Sequence, residues 1–485
     1  MNEQDSTPRW YEGEPDATRT EWFVEEEHAQ PDTPARRLSR ATYTEPAREL
    51  PVHAEADVLV VGGGPSGCAA ATAAARLGAD VLLVERYGHL GGLATGGLVF
   101  WIDRMTDWEG RQVITGYATD VFDRLSPDSI IGPAPELWGS TDPATVAYWK
   151  RRTCAFRNIV TWSPTIDPEW LKIVSLELLQ EAGARLQLHS WAVQTIVEGQ
   201  SARGVVFESK QGRQAILAKV VIDASGDLDL CALAGAPYES DIDTGDVSHC
   251  MNVAWCWAGV DMDRWIAFSD GSPEEFRGLM KDAAGALGYA ELPVVSWRND
   301  VCLFLGPRLG GYSGVDVEDL TAVEIESRRR MVEHLRYFRE HAPGFEHAWV
   351  MTTASQIGIR HTRRLVGTRG MTNADWKAGV RHDDEIGVSP SPSPKFAPVS
   401  VPYGALLPAE LDYLLAPGRH VACDPSTQSF MREIPQCWLT GQAAGVAAAL
   451  AVGTGRRPRD IDVREMQAEL QRQGAYLQVG VGAHA

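Results

Sequence analysis

The chain has 485 residues, 44% of them hydrophobic, which is enough to build more than one core and to fill two to three domains. Asp and Glu outnumber Lys and Arg by 65 to 45, a formal net charge of −20, and no basic run offers a stripe for tracking phosphates, so a nucleic-acid partner is not expected. No apolar run approaches the roughly 20 residues of a membrane helix, the charged N-terminus lacks a signal-peptide core, and the eight cysteines show no CxxC pair and no zinc or iron–sulfur spacing, so a cytoplasmic protein with reduced thiols and no membrane or metal partner is expected.

Residues 1–55 form an acidic arm with prolines and little apolar periodicity, too polar to fold alone. Trp10, Tyr11, Trp22, Phe23 and Tyr43 would each bury a large area if docked, so the arm is read as packed along its own subunit or a neighbour, with partial disorder as the alternative. A homodimer would suit such an arm.

Residues 57–85 read as strand, glycine-rich turn, alanine-rich helix and second strand ending in an acid, the order of a βαβ unit that holds a dinucleotide. Gly62 permits the turn off the strand, Gly64 lets the backbone approach a pyrophosphate, and Gly67 lets the helix lie close to the sheet. Pro65 and Ser66 open the helix, whose free N–H groups and dipole favour an anion. Glu85 ends the second strand, where its carboxylate can accept both hydroxyls of an adenosine ribose and would repel a 2′-phosphate, which disfavours NADP at this site. Arg86 follows, and then Gly91-Gly92-Leu93-Ala94-Thr95-Gly96-Gly97, a run so rich in glycine that its amides are expected to take their shape from what they touch.

Beyond it, Asp167-Pro168 opens an amphipathic helix to Gly183, followed by strands at 184–189, 193–197 and 204–208 and an apolar strand from Ala215 that ends in Ala224-Ser225-Gly226-Asp227. The middle of the chain carries Gly358-Ile359-Arg360-His361-Thr362-Arg363-Arg364, then Pro402-Tyr403. Near the end, Pro417-Gly418-Arg419-His420-Val421-Ala422-Cys423-Asp424 precedes Arg432-Glu433 and an alanine-rich helix containing Gly441-Gln442-Ala443-Ala444-Gly445.

The βαβ unit with the following ERxGxLGGxAT run resembles the FAD-dependent oxidoreductases of the glutathione-reductase-like superfamily, and the likeness extends from about residue 55 to 453, least tightly in the middle. It implies an α/β fold: a discontinuous, Rossmann-like, three-layer ββα FAD domain from 56–110, 165–237 and 400–453, with an insertion at 111–164, a mixed α+β substrate domain at 238–399 and a C-terminal segment at 454–485. It further implies that Arg86, Gly91, Gly92, Leu93, Ala94 and Thr95 pass beside the cofactor. Val193 would meet the adenine through its backbone, and Ala224, Ser225 and Gly226 would form the strand that returns to the FAD domain. Asp424 would take the ribityl chain. The helix after Pro435, with Gln442, Ala443 and Ala444, would aim its N-terminus at the flavin, although an alanine-rich helix can equally be one that packs tightly on the sheet. Cys68 reads as a small buried residue; His89 is near enough for a covalent link, but non-covalent FAD is expected.

Over the flavin, Arg360 and Arg363 could hold a substrate carboxylate or carbonyl, or pair with acids between domains. His361 stands where the family often has an acid, and could move a proton or be a hydrogen-bonded core residue. Tyr403 could approach substrate or pack at a domain border, and Arg432 could sit over the ring or pair with Glu433. His249 is a further residue that could face the cavity. A single dinucleotide fingerprint and the absent CxxC leave hydride transfer between a small organic substrate and flavin N5, as a dehydrogenase or oxidase, with NAD(P)H- and O₂-dependent hydroxylation as the alternative. From another class, a flavin-binding RNA-modifying or structural protein stays open, against the charge balance.

Overall fold

A computed structural model describes residues 42–240, 250–289 and 291–479. Of the aromatic arm only Tyr43 falls within them, and its side chain is 88% exposed; Trp10, Tyr11, Trp22, Phe23 and His249 lie outside the described residues.

Strand β1 (Val52–Val61) leads into helix α1 (Pro65–Arg76) and strand β2 (Val81–Val84). Ten of the twelve residues of α1 are buried, because small side chains let it be covered on two sides. Helices α2 (Tyr117–Arg124) and α3 (Pro168–Glu181) pack together beside it, so the stretch expected as an insertion contributes to this core. Strands β3 (Arg185–Gln187), β4 (Trp191–Glu198), β5 (Ser201–Ser209) and β6 (Gly212–Asp223) follow. β3, β2, β1 and β6 run parallel in that order, with β1 paired to β6 from Val52 to Val61. The first half of β6 pairs antiparallel with β5 and β5 with β4, so the three-strand meander grows from the same long strand.

The central part builds a second core. Strand β7 (Trp255–Ala258), helices α4 (Met262–Gly271) and α5 (Pro273–Leu287), strands β8 (Val294–Val295) and β9 (Val301–Phe304), the long helix α6 (Val317–His341) and strand β10 (Trp349–Thr353) form a four-stranded antiparallel sheet, β8-β9-β7-β10, under helices. The period of two sorts its side chains: Trp255, Trp257 and Phe304 face the helices, while Cys256, Ala258 and Leu303 face the first core.

The chain then returns. Strands β11 (Glu385–Ser389) and β12 (Val399–Pro402) make a hairpin, so the domain boundary expected at 399/400 falls inside a strand. Strand β13 (Leu414–Leu415) pairs parallel with Val221 and Ile222 at the end of β6. Helices α7 (Pro425–Met431), α8 (Ile434–Thr454) and α9 (Val463–Arg472) close the domain. α8 is the one helix among the described residues long and apolar enough by length and composition to cross a membrane, which corrects the expectation that nothing reaches that length; 78% of its apolar window is buried in the protein, against α1 and the sheet.

Candidate cofactor and active site

The ends of β1, β2 and β6 bring Gly62, Glu85 and Ala224 to one edge of the parallel sheet. Gly62 holds φ +105°, and a Cβ there would strike the Ala224 carbonyl; one at Gly67 would strike the carbonyl of Gly62. Gly64 differs, since the nearest atom to a Cβ there is Gly92 Cα at 3.8 Å. The protein leaves that space open. Above it begins α1, with Gly64 offering no capping side chain, Pro65 in the first turn and no acid there, so its first N–H groups have no partner within the helix. This cradle suits a diphosphate.

Glu85 is 6% exposed, and its carboxylate accepts from the amides of Gly63 at 2.6 Å and Tyr87 at 2.7 Å. Those donors fix its aim and leave lone pairs for ribose hydroxyls. Gly63 is a residue the sequence reading passed over, though the GGG run signalled it: a Cβ there would meet Leu90 at 2.6 Å. Arg86 is exposed and lies over the rings of Tyr87 and Trp191, at 4.9 and 5.7 Å. Val193 sits where the β4–β5 register shifts between Ala192 and Gln194.

The glycine loop corrects one expectation. Its shape comes from its own hydrogen bonds: Gly92–Ala94 is a tight turn, the amides of Thr95 and Gly96 return to the Gly92 carbonyl at 3.1 and 2.8 Å, and Thr95 Oγ1 donates to the Leu90 carbonyl at 2.7 Å. Leu93 and Ala94 ride on this turn, and the Gly91 amide donates to the Gly63 carbonyl at 2.8 Å, which ties the loop to the fingerprint. Behind it His89 is held below its ordinary pKa by burial. On its far side the Gln356 amide and the Ser355 hydroxyl donate to the Gly96 carbonyl at 3.0 and 3.3 Å. The segment carrying Arg360–Arg364 is thereby tied to this loop.

Several side chains read as cofactor or substrate ligands take part in the fold's own hydrogen bonds and packing. Ser225 donates its hydroxyl to Asp223 at 2.6 Å and accepts from the Asp229 amide, folding the turn that leaves β6 through Gly226. Asp424 caps α7, accepting from Thr427 N at 2.7 Å and from Asn373 N at 2.5 Å, which fixes its carboxylate between α7 and the segment before Ala374. Gln442 accepts from Tyr117 N at 3.1 Å and donates to the Gln473 carbonyl at 3.1 Å, joining α2 and the C-terminal segment to α8. Ala443 and Ala444 are fully buried, and Gly441 and Gly445 beside them press on the backbone of α1 at Ser66 and Ala70, so the small residues of α8 serve helix packing. Tyr403 is buried and donates to the Pro458 carbonyl at 2.8 Å, and burial pushes its phenol up, so it is the packed ring at the border. Cys68 is buried, its thiol pushed up to about 12 by desolvation.

Arg363 donates to the Asp227 carbonyl at 3.1 Å and to Asp229 at 3.2 Å, and Arg364 to the Cys423 carbonyl at 3.0 Å, Gln428 and Glu239, which is the acid-pairing reading of both. Arg432 lies 3.4 Å from Glu433. Arg360 and His361 follow the strand Gly358–Ile359. Arg360 and Arg308 both act on Glu291, a buried acid the sequence reading missed, raised by desolvation against the pull of the two cations. Around the end of β6, burial and neighbouring Asp227 raise Asp229 to about 6. Burial raises Asp227 too, but the charge and hydrogen bond of Arg419, with the Thr362 hydroxyl at 2.8 Å, outweigh that and hold it below the usual range.

A profile of the FAD dependent oxidoreductase family matches residues 57–470, nearly the whole of the described fold. Digeranylgeranylglycerophospholipid reductase 2 of Methanopyrus kandleri is 28% identical over 180 residues, 36% of this chain; the match spans 38% of that curated relative's length. Among solved structures, a geranylgeranyl bacteriochlorophyll reductase-like protein of Thermoplasma acidophilum aligns with 13% identity over 86% of this chain and 82% of that one, TM-score 0.42. The p-nitrophenol 4-monooxygenase of Pseudomonas putida aligns with 12% identity over 87% and 85%, TM-score 0.43, and a flavin-dependent brominase with 12% identity over 86% and 83%, TM-score 0.44.

Proposed function

Because this chain belongs to the FAD-dependent oxidoreductase family, an enzyme family with FAD as cofactor, we propose that it transfers a hydride between a small organic molecule and flavin N5, within the glutathione-reductase-like branch. The observation that carries this reading is the joint at Gly96, where Ser355 and Gln356 dock the central segment onto the glycine loop beside the dinucleotide cradle. Bound FAD supplies the two-electron redox chemistry. The chain's own groups do the rest: the first turn of α1 binds the diphosphate, Glu85 orients the ribose, Arg360 orients an oxygen-bearing substrate group, and His361 moves the accompanying proton. α8 starts without a side-chain cap from Glu433 and without an acid in its first turn, which suits a helix end turned toward negative charge. FAD is held without a covalent bond, and the charge of −20 supports a reading without nucleic-acid partners.

Anaerobic mixing of the yellow holoenzyme with a panel of alcohols, amines, hydroxy acids and unsaturated acids tests it. Bleaching by one member, restored by air or an artificial acceptor, is expected, and His361→Gln should slow that bleaching about 100-fold. Bleaching by NADPH alone with none by the panel would replace this reading by the hydroxylase one.

A further inference from the structure

We infer that Arg419 is a ligand of the FAD diphosphate, supplying the cation that the glycine fingerprint lacks. The chain leaves β13 beside the end of β6 and turns at Gly418, whose φ is +109°. A Cβ on Gly418 would stand 2.8 Å from Ser66 Oγ in the first turn of α1, and the Gly418 amide donates to Thr440 Oγ1 of α8 at 3.1 Å. Arg419 therefore emerges where β6, α1 and α8 converge. Its guanidinium lies against Gly226, with Nη1 2.9 Å from the place a Cβ would take there, and its carbonyl is pinned by Gln428 Nε2 at 2.8 Å.

The side chain is 14% exposed and pairs with Asp227 through Nη2 at 2.7 Å, while Nε is buried without a partner among the described residues. A guanidinium carries five donors, and leaving a buried one unmade costs about 1–3 kcal/mol. Arg363 nearby shows what a structural arginine does here: its Nη1 is shared among the carbonyls of Asp227 and Leu228 and the carboxylate of Asp229. The fingerprint itself offers only neutral N–H groups and a helix end worth about half a positive charge, against a dianionic diphosphate. The first charged side chain after β13 is thus a cation beside the cradle, and the acid on this stretch, Asp424, caps α7. Asp227 also accepts from Thr362, so the ion pair that aims Arg419 reaches the segment that bears Arg360 and His361.

The inference rests on FAD being the cofactor, and wild-type holoenzyme controls for that. Its FAD dissociation constant, read from flavin fluorescence on dilution, is compared with those of Arg419→Lys and Arg419→Gln, together with the melting temperatures of the FAD-free proteins. Arg419→Gln is expected to weaken FAD about 10- to 100-fold, the size of a charge-assisted hydrogen bond. Arg419→Lys keeps a cation for Asp227, so it should keep part of the affinity while its FAD-free melting temperature and the midpoint potential of its bound flavin stay near wild type; Arg419→Gln leaves the buried Asp227 unpaired and lowers the FAD-free melting temperature as well. Affinity within about twofold of wild type in Arg419→Gln would overturn the assignment. So would a loss that Lys does not relieve and that the FAD-free stability follows, which would make Arg419 a partner of Asp227 only, or a shifted potential at unchanged affinity, which would put the guanidinium at the ring.

Discussion

The two cores of this protein are made of different material. Around α1 and α8 the packing is backbone against backbone: Cβ atoms on Gly441 and Gly445 would strike the carbonyls of Ser66 and Ala70, and alanines fill what remains. Behind the β8-β9-β7-β10 sheet the packing is ring against ring, with Trp257 4.4 Å from Phe304 and His334 4.3 Å from Phe338 between centroids. The first arrangement has one solution, because no larger residue fits, and it holds the dinucleotide cradle in a fixed place. The second fills volume at the expense of polar atoms: the indole nitrogens of Trp255 and Trp257 and both nitrogens of His334 are buried without hydrogen-bond partners among the described residues. Edge-to-face packing of His334 on Trp255, Phe304 and Phe338 gives its N–H a π-face as a weak substitute. Precision is concentrated around the glycine fingerprint.

The sharpest way to break that contrast is within the fingerprint. Gly67→Ala puts a methyl into the Gly62 carbonyl and should cost about 4 kcal/mol or more, read as insoluble protein or a melting temperature lowered in the FAD-free form as well. Gly64→Ala, three residues away, has φ −74° and open space, so FAD-free stability should stay within about 1 kcal/mol of wild type while FAD affinity falls at least tenfold. Equal effects of the two on FAD-free stability would show that the space above Gly64 is not kept for a ligand.

The same contrast decides what could be read from sequence. The fingerprint was legible because a glycine required by a backbone collision cannot be replaced, so Gly62 and Gly67 announce their geometry, as does Glu85 at the end of an apolar strand. Side chains that could serve either fold or ligand were not. Asp424, Ser225 and Gln442 lie in segments resembling cofactor-binding ones, yet each finds a nearer backbone amide or carbonyl, and only the positions of Asn373, Asp229, Tyr117 and Gln473 in space reveal it. Arg419 stood in the quoted Pro-Gly-Arg run without a role, because the pairing of β13 with β6 that brings it to the cradle leaves no local trace in two residues of strand. The ring-packed core was hidden for a further reason: Trp255 and Trp257 alternate with Cys256 as any buried strand would, and the helix residues His334 and Phe338 they meet are about eighty positions away.

Acid sharpens the difference between the cores. Burial holds His334 at about 3, against 6.5 for the free side chain, so the folded protein keeps the ring neutral while the unfolded chain takes up a proton below pH 6.5. The sign follows: this residue costs nothing above about pH 6.5 and destabilises the fold increasingly as pH falls toward 3, by about 1.4 kcal/mol per pH unit. His334→Phe keeps a ring of similar shape and removes both unpartnered nitrogens. Denaturant unfolding of the two proteins at pH 7.5 and 5.5 should show the wild type losing about 1.4 kcal/mol more than the variant over that interval. Parallel losses would mean that the imidazole reaches water or a partner in solution.

The smallest expected effect bears on whether α7 belongs to the cofactor site or to the frame around it. Asp424 caps that helix through Thr427 and also receives the Asn373 amide. Asp424→Ala removes a cap and should cost about 1 kcal/mol of stability in the FAD-free and FAD-bound forms alike. A carboxylate that held the ribityl chain would give a different pattern, with FAD affinity falling more than tenfold and the FAD-free protein less affected. The expected outcome is an FAD dissociation constant within about twofold of wild type beside a modest drop in melting temperature. Because Arg419→Lys is expected to do the reverse, losing part of the affinity with little change in FAD-free stability, the two variants together assign the two charged ends of the short stretch 419–424, one to the ligand and the other to the helix.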